Sequence, residues 1–318
     1  MFLESFKITG LAVVQIIILG AIGFFLVKKG ILGDGGLDAL SRLAIDVTLP
    51  ILIFCQLIKD FSFSLYPNWW VFPLISIAIT ALGFIAGSLL KGFVKGTEEK
   101  KQFLGLVTFQ NSGYLPLALF AALLSPEKSS TVFIYLFLFL LGFNLVMFSF
   151  GVYMIAFSSA KKFEWQRLFS APVVATLASL ILVFFGINKF VPDFVIKPLR
   201  SIGDSTLPLA MIVVGGSLAQ IRLGGINKKA MSLLVLAKLV ILPLAGLLLL
   251  IKLKLPELIG LLILIELAVP SANSLTAIVR ANKKDDILIS QGIFISHILS
   301  IITLPVFLSL YFALVMIR

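Results

Sequence analysis

Apolar residues run along this chain in blocks of about 20, the length that carries a helix across the hydrocarbon core at 1.5 Å per residue. Such blocks fall at 8–27, 38–58, 69–90, 102–123, 131–157, 168–187, 198–220, 230–251, 257–279 and 287–316. The pattern predicts an all-α polytopic membrane protein with ten transmembrane helices. The first block, Ile8 to Val27, is too long for the core of a signal peptide. Lys28 and Lys29 follow it without a small-residue cleavage site, so it reads as a spanning helix.

Composition agrees with that pattern. Of 318 residues, 60% are hydrophobic and 13% charged, and the mean hydropathy is +1.13. A soluble domain needs more polar surface than this. The formal charge of +11 would suit a nucleic-acid binder, but the basic residues sit in short clusters between apolar blocks, as in membrane loops. They also set a direction. The loops after spans 1, 3, 5, 7 and 9 carry 15 Lys and Arg, against 9 in the even loops and the two ends. The positive-inside rule therefore places the odd loops in the cytoplasm and both termini outside the inner membrane. Trp69 and Trp70 mark the outer interface. Cys55 is the one cysteine and His297 the one histidine, so neither an internal disulfide nor a zinc or multi-histidine metal site is expected.

One motif occurs twice. Asp46-Val-Thr48-Leu49-Pro50 in the second span and Asp204-Ser-Thr206-Leu207-Pro208 in the seventh agree at four of five positions. Each half of the chain then holds five helices, and an odd number turns the second half over in the membrane. The chain reads as two inverted five-helix repeats, 1–157 and 168–318, joined by a short cytoplasmic connector at 158–167. That plan recurs in secondary transporters, with the substrate site at the repeat interface near mid-membrane.

The fourth span of each half is interrupted. One reads Gln110-Asn111-Ser112-Gly113-Tyr114-Leu115-Pro116, and the other Glu266-Leu-Ala-Val-Pro270-Ser271-Ala-Asn273-Ser. Proline removes a backbone hydrogen bond and clashes with the preceding turn. In lipid the freed groups must find partners, which small polar side chains and a water-lined cavity supply. Each break also leaves a half-helix N-terminus that favours an anion. A plain proline kink explains one such helix equally well. Two in corresponding positions favour a binding site.

The stretches TFQNSGYLPLALFAALL (108–124), DSTLPLAMIVVGGSLAQI (204–221), ELAVPSANSLTAIVRAN (266–282) and LPVFLSL (304–310) resemble the auxin efflux carrier family, which includes plant PIN carriers and bacterial permeases. The resemblance covers nearly the whole chain. It implies ten helices, both termini outside, broken fourth and ninth helices that cross at mid-membrane, and an organic anion bound beside the crossing. Carried over, the crossing positions are Asn111, Gly113, Pro116, Pro270 and Asn273. The chain lacks the long central loop of many plant members. In this it looks more like the bacterial ones, which are linked to di- and tricarboxylates and similar acids.

Ionisable groups inside spans are functional candidates. Lys238 lies about 13 Å from the cytoplasmic edge at helical rise. It could neutralise a substrate carboxylate, pair with Asp46, Asp204 or Glu266, or cap a backbone carbonyl. Asp46, Asp204, Glu266 and His297 are candidates for a proton relay. Asp46 could pair with Arg42 one turn earlier. Asp204 also reads as a residue at the start of its helix, and His297 as a hydrogen-bonded packing residue. Asp285 and Asp286 read as a solvated loop pair. Gly83, Gly87, Gly142, Gly215 and Gly216 read as close-packing positions.

The reading that joins these features is a secondary active transporter of a small organic anion. It works by alternating access, driven by protons or the membrane potential. Its substrate site is expected at Asn111, Ser112, Gly113, Pro116, Pro270, Ser271, Asn273 and Lys238. A sodium-coupled carrier resembling the bile-acid symporters is the alternative, with Gln110, Asn111, Glu266 and Asn273 around the ion. A channel accounts less well for the inverted repeat. The chain carries no HExxH, GxSxG or Asp-rich prenyl-diphosphate motif, so it does not read as an enzyme. No cofactor is expected. The expected partners are a small organic acid and the lipid bilayer, with a homodimer left open beside a monomer, and no nucleic acid.

Overall fold

The computed structural model describes residues 2–156, 168–221, 224–281 and 285–316. The connector expected at 158–167 lies outside them. Among the described residues the fold is helical and contains no β-strand. The helices are α1 (Phe2–Lys28), α2 (Asp34–Asp60), α3 (Val71–Phe93), α4 (Thr97–Thr108), α5 (Tyr114–Leu123), α6 (Pro126–Ile155), α7 (Ala171–Phe184), α8 (Asp193–Ala219), α9 (Lys228–Leu253), α10 (Glu257–Ala268), α11 (Ser274–Ala281) and α12 (Ile287–Leu314). Seven of them, α1, α2, α3, α6, α8, α9 and α12, are long and apolar enough to cross a bilayer. The blocks at 102–123 and 257–279 are each two shorter helices, α4 with α5 and α10 with α11. The block at 168–187 yields only the 14-residue α7. Pro172 sits in its first turn, and Gly186, at φ 71, adopts the left-handed conformation that ends helices.

Prolines shape the long helices as well. Pro50 and Pro208 cannot donate to the carbonyls of Asp46 and Asp204, four residues earlier, and their rings press on them. In α2 the chain answers with a wide π-turn over Leu43–Thr48. In α8 regularity lapses at the turn residue Ser205. Pro243 of α9 follows another π-turn, Leu236–Ile241, which carries Lys238. Both copies of the repeated motif thus coincide with a helix irregularity, and π-turns gather at functional positions.

Glycines set the closest helix contacts. α1 packs on α8 and α12, α2 on α7 and α8, and α3 on α4 and α6. A Cβ on Gly215 of α8 would stand 1.8 Å from the Gly20 carbonyl oxygen of α1, and one on Gly23 would stand 2.0 Å from that of Ile212. Gly83 faces the Val107 and Thr108 carbonyls at 2.9 Å, and Gly142 faces that of Pro73 at 2.5 Å. Backbone cannot step aside as a side-chain tip can. Gly215→Val is therefore expected to cost near the top of the overpacking range of about 1–3 kcal/mol. Gly10→Val, where a Cβ meets nothing within 4 Å, is the control. Thermal melts of the two variants check this, and equal melting temperatures would contradict the α1–α8 contact.

Candidate functional site: the crossing of two broken helices

The site is built where α4 and α10 stop. Helix α4 ends at Thr108, and Phe109 turns extended at φ −102, ψ 119. Helix α10 ends at Ala268, and Val269 is extended at φ −68, ψ 150, the conformation a residue before proline prefers. The two extended segments run antiparallel past each other, with Gln110 opposite Ser271. Asn111 N–H donates to the Pro270 carbonyl at 2.8 Å, and Ala272 N–H donates to that of Phe109 at 3.0 Å. Each break thus satisfies backbone groups that the other exposes.

The carbonyls at the end of α4 are otherwise orphans, and each of three finds a donor. Phe109 N–H reaches the Gly105 carbonyl at 3.0 Å. Ser271 Oγ donates to Leu106 at 2.7 Å. Lys238 Nζ donates to Val107 at 3.3 Å. Lys238 is 1% exposed, so a cation from α9 caps the negative end of a half-helix, where the helix dipole favours it. The Ser271 N–H donates to Ser296 Oγ of α12 at 3.3 Å, and Ser296 donates to the Ile293 carbonyl. His297 lies one residue on. Its Nδ1 faces the Ile293 carbonyl at 2.8 Å, and its Nε2 faces Asn111 Nδ2 at 3.3 Å. With Nδ1 donating, Nε2 is left to accept from the asparagine amide.

Other polar groups at the crossing have no such closure. Both Glu266 carboxylate oxygens, both side-chain polar atoms of Gln110 and of Asn273, and the hydroxyls of Ser112 and Thr108 lack a hydrogen-bond partner among the described residues. Glu266 and Gln110 are fully buried, and Ser112 is 1% exposed. Ser112 and Gln110 face the Glu266 carboxylate, and Lys238 is the cation near enough to act on it. Ser112 and Gln110 are oriented to hydrogen-bond Glu266 without reaching ordinary hydrogen-bond geometry, and no ion pair joins Lys238 to it among the described residues. Buried polar groups are normally paired, so this concentration makes the crossing the candidate site. Beyond His297 a cavity of about 200 Å³ opens between α1, α5, α8 and α12, lined by Val13, Leu115, Met211, Ile298 and other apolar side chains.

The profile of the family described as "Membrane transport protein" matches residues 10–308 of this chain. The chain belongs to that family. It is the one to which the auxin-efflux-carrier motifs pointed. An uncharacterized transporter of Methanocaldococcus jannaschii is 28% identical over 213 residues, 65% of this chain and 68% of that relative. An uncharacterized transporter of Schizosaccharomyces pombe is 27% identical over 115 residues, 36% of this chain and 25% of the relative. Another of Saccharomyces cerevisiae is 27% identical over 123 residues, again 36% of this chain and 29% of the relative. The protein is a multi-pass membrane transporter and not an enzyme.

Within this transporter the expected site residues separate into two groups. Asn111, Ser112, Gly113, Pro116, Pro270, Ser271, Asn273, Gln110, Glu266, His297 and Lys238 gather in or beside the crossing. Asp204 does not, and Asp46 comes only within reach of the Tyr114 hydroxyl at the start of α5. Asp46 is exposed on α2, and no ion pair joins it to Arg42 among the described residues. The π-turn that starts at Leu43 widens the helix, so positions four apart no longer stack. Asp204 lies where the stretch Asp193–Asp204 of α8 gives way to Thr206–Ala219. It pairs with Arg200 at 3.5 Å on an open face. The polar residues Lys197, Arg200 and Asp204 interrupt the apolar block in sequence but point outward, so the helix runs through them. Asp285 and Asp286 are not a free loop pair. Asp286 accepts from Arg280 at 2.7 Å and from Ser290 at 2.9 Å, at the start of α12.

Two buried polar groups outside the expected set escaped the sequence reading. The Tyr114 hydroxyl is buried without a partner and lies within reach of the Asp46 charge. Thr206 is fully buried with its hydroxyl unpartnered. Their positions inside the two motifs, QNSGYLP and DSTLP, were the available signal.

Proposed function

We propose that this chain is a secondary active carrier of a small organic anion, working by alternating access in the inner membrane. Its ten spans form two inverted five-helix repeats, with α4–α5 as the broken fourth span and α10–α11 as the broken ninth. The crossing is its substrate site. The observation that supports this most is the reciprocal pair of backbone hydrogen bonds between the two breaks. They fix Asn111, Ser112 and Asn273 beside the N-terminal ends of α5 and α11, where amide donors and helix dipoles favour a carboxylate. A thermal-shift screen of mono-, di- and tricarboxylates on the purified protein tests it. At least one acid is expected to raise the melting temperature saturably, and an Asn273→Ala variant should lose that response. An acid that stabilises the variant as well as the wild type would sink the assignment.

The same reading places both termini outside. Cysteines introduced at residues 2 and 316 are expected to react with an impermeant maleimide in intact cells. The native Cys55 is fully buried and leaves the background low. Protection of both positions until the cells are opened would reverse the orientation.

A further inference from the structure

We propose that two small polar clusters, one of Gln56, Asp60 and Ser130 and the other of Thr9 and Ser309, are latches that hold this carrier shut on the side of its termini, and that opening to that side requires both to part. The proposal rests on the reading of the chain as an alternating-access carrier.

The case begins with the glycines, because helices that touch through bare backbone are held at one register. Gly20, Gly23 and Gly215 set α1 against α8, and Gly203 of α8 meets the Leu52 backbone of α2. Helix α7 packs on α2. In a second set, Gly83 and Gly142 join α3 to α4 and α6. Gly246 of α9 meets Leu267 of α10, Gly260 of α10 meets Tyr311 of α12, and Gly292 of α12 meets Leu106 of α4. Among the described residues, no glycine joins the first set to the second within 4 Å. The helices thus form two close-packed groups, α1, α2, α7 and α8 against α3, α4, α6, α9, α10 and α12. The half-helix α5 packs on both. Each group draws on both halves of the chain, and a seam without glycine contacts runs between them.

Among the described residues, the side-chain hydrogen bonds that cross this seam from helix to helix lie in two places. Gln56 Nε2 of α2 donates to Asp60 Oδ2 at 2.5 Å and to Ser130 Oγ of α6 at 2.7 Å. Ser130 Oγ donates to the same Asp60 oxygen at 2.8 Å, which closes a triangle. In the second place the Thr9 and Ser309 hydroxyl oxygens lie 2.9 Å apart and join α1 to α12, with the Pro305 carbonyl 3.2 Å from Thr9 Oγ1. Gln56, Thr9 and Ser309 are fully buried, whereas Asp60 is exposed. Both clusters lie toward one end of the molecule. Helix α2 ends and α6 begins beside the first, and α1 begins and α12 ends near the second.

Past the Thr9 contact a gap opens between the groups. The cavity of about 200 Å³ is lined from Val13 to Phe24 in α1, and from Leu304 back to His297 in α12. All of that lining lies on the far side of Thr9 and Ser309 along the two helices. His297, which faces Asn111 of the crossing at 3.3 Å, is one of its walls. The crossing therefore borders open space away from the termini and bonded contact toward them. Alternating access moves one bundle against another around a fixed site, so the bonded side is the one that must part. The latches suit that reversal. When the groups separate, water takes the place of each partner, so breaking such a bond costs little net free energy. Asp60, the one charge among them, already faces solvent.

The test places a reporter cysteine one turn behind the second latch. Val13→Cys, at a position 5% exposed, is made in the full chain with the native cysteine removed by Cys55→Ala. An impermeant maleimide is applied to intact cells and, separately, to inside-out vesicles. Thr9→Val and Ser130→Ala together are expected to raise the reaction rate from outside at least tenfold, and each alone by less. Thr176→Val removes a buried hydroxyl bonded only within α7 and should leave the rate unchanged. Acceleration seen only in inside-out vesicles would support the latches and turn the orientation over. Three results would overturn the proposal: a double variant no faster than the reporter chain from either face, an equal acceleration by Thr176→Val, or a native Cys55, fully buried within one group, that becomes as reactive in the double variant as the reporter. Binding of an acid from the carboxylate screen is measured on the purified double variant with and without Asn273→Ala. If the labelling rates do not change while Asn273→Ala still abolishes acid binding, the latches fail and the anion site stands. If Asn273→Ala leaves acid binding intact, the transport reading itself has failed.

Discussion

Asn273→Ala is expected to lower affinity for the transported acid ten- to a hundredfold while leaving the melting temperature almost unchanged. Both polar atoms of the Asn273 side chain are without a partner among the described residues, so truncation removes no internal hydrogen bond. A bond to a charged partner is worth about 1.5–3 kcal/mol, and each 1.4 kcal/mol is a factor of about ten in affinity. Asn111→Ala should behave differently. Asn111 Nδ2 faces His297 Nε2 at 3.3 Å, and its loss leaves a buried ring nitrogen without that contact. Affinity and melting temperature should therefore fall together. The split between the two asparagines is what separates a binding role from a structural one. If Asn273→Ala lost stability but bound the acid normally, its side chain would be scaffold.

Lys238→Met is the second large effect. The substitution keeps an apolar stem but removes the donor to the Val107 carbonyl and the cation that acts on Glu266. An unsatisfied buried group costs about 1–3 kcal/mol, more where it is charged. The double variant Lys238→Met/Glu266→Gln should recover part of that loss, because the stranded charge is gone. The coupling between the two sites should then exceed the few tenths of a kcal/mol seen for independent sites. Additive losses in the double-variant cycle would mean that the lysine serves only as a cap on α4.

Much of this architecture was legible in the sequence, for definable reasons. Lipid requires long apolar blocks, so the seven helices long enough to cross a bilayer were legible without knowledge of packing. The paired Pro/Asn interruptions gave away both breaks, since proline at mid-membrane must be accommodated somewhere. What the sequence could not give was the lateral register between segments. That Asn111 meets Pro270, and Ser271 meets Leu106, depends on how two distant helices dock. Lys238 illustrates the limit. Its burial follows from its place in the middle of an apolar block, but its choice of the Val107 carbonyl over Asp46, Asp204 or Glu266 was not readable. The surroundings of the two motif aspartates were not legible, because a π-turn and an outward-facing polar stripe both escape a hydropathy scan. The expectation that His297 is hydrogen-bonded held, whereas its partner, Asn111, came only from the fold.

The central claim is that the crossing of the two broken helices is where the transported anion binds. The most direct measurement is an experimental structure of the protein with a stabilising acid from the carboxylate screen. The acid's carboxylate is expected within hydrogen-bond distance of Asn273 Nδ2 and at the N-terminal end of α5. A well-defined acid bound elsewhere, with the crossing contacts unchanged and Asn273 still unengaged, would contradict it.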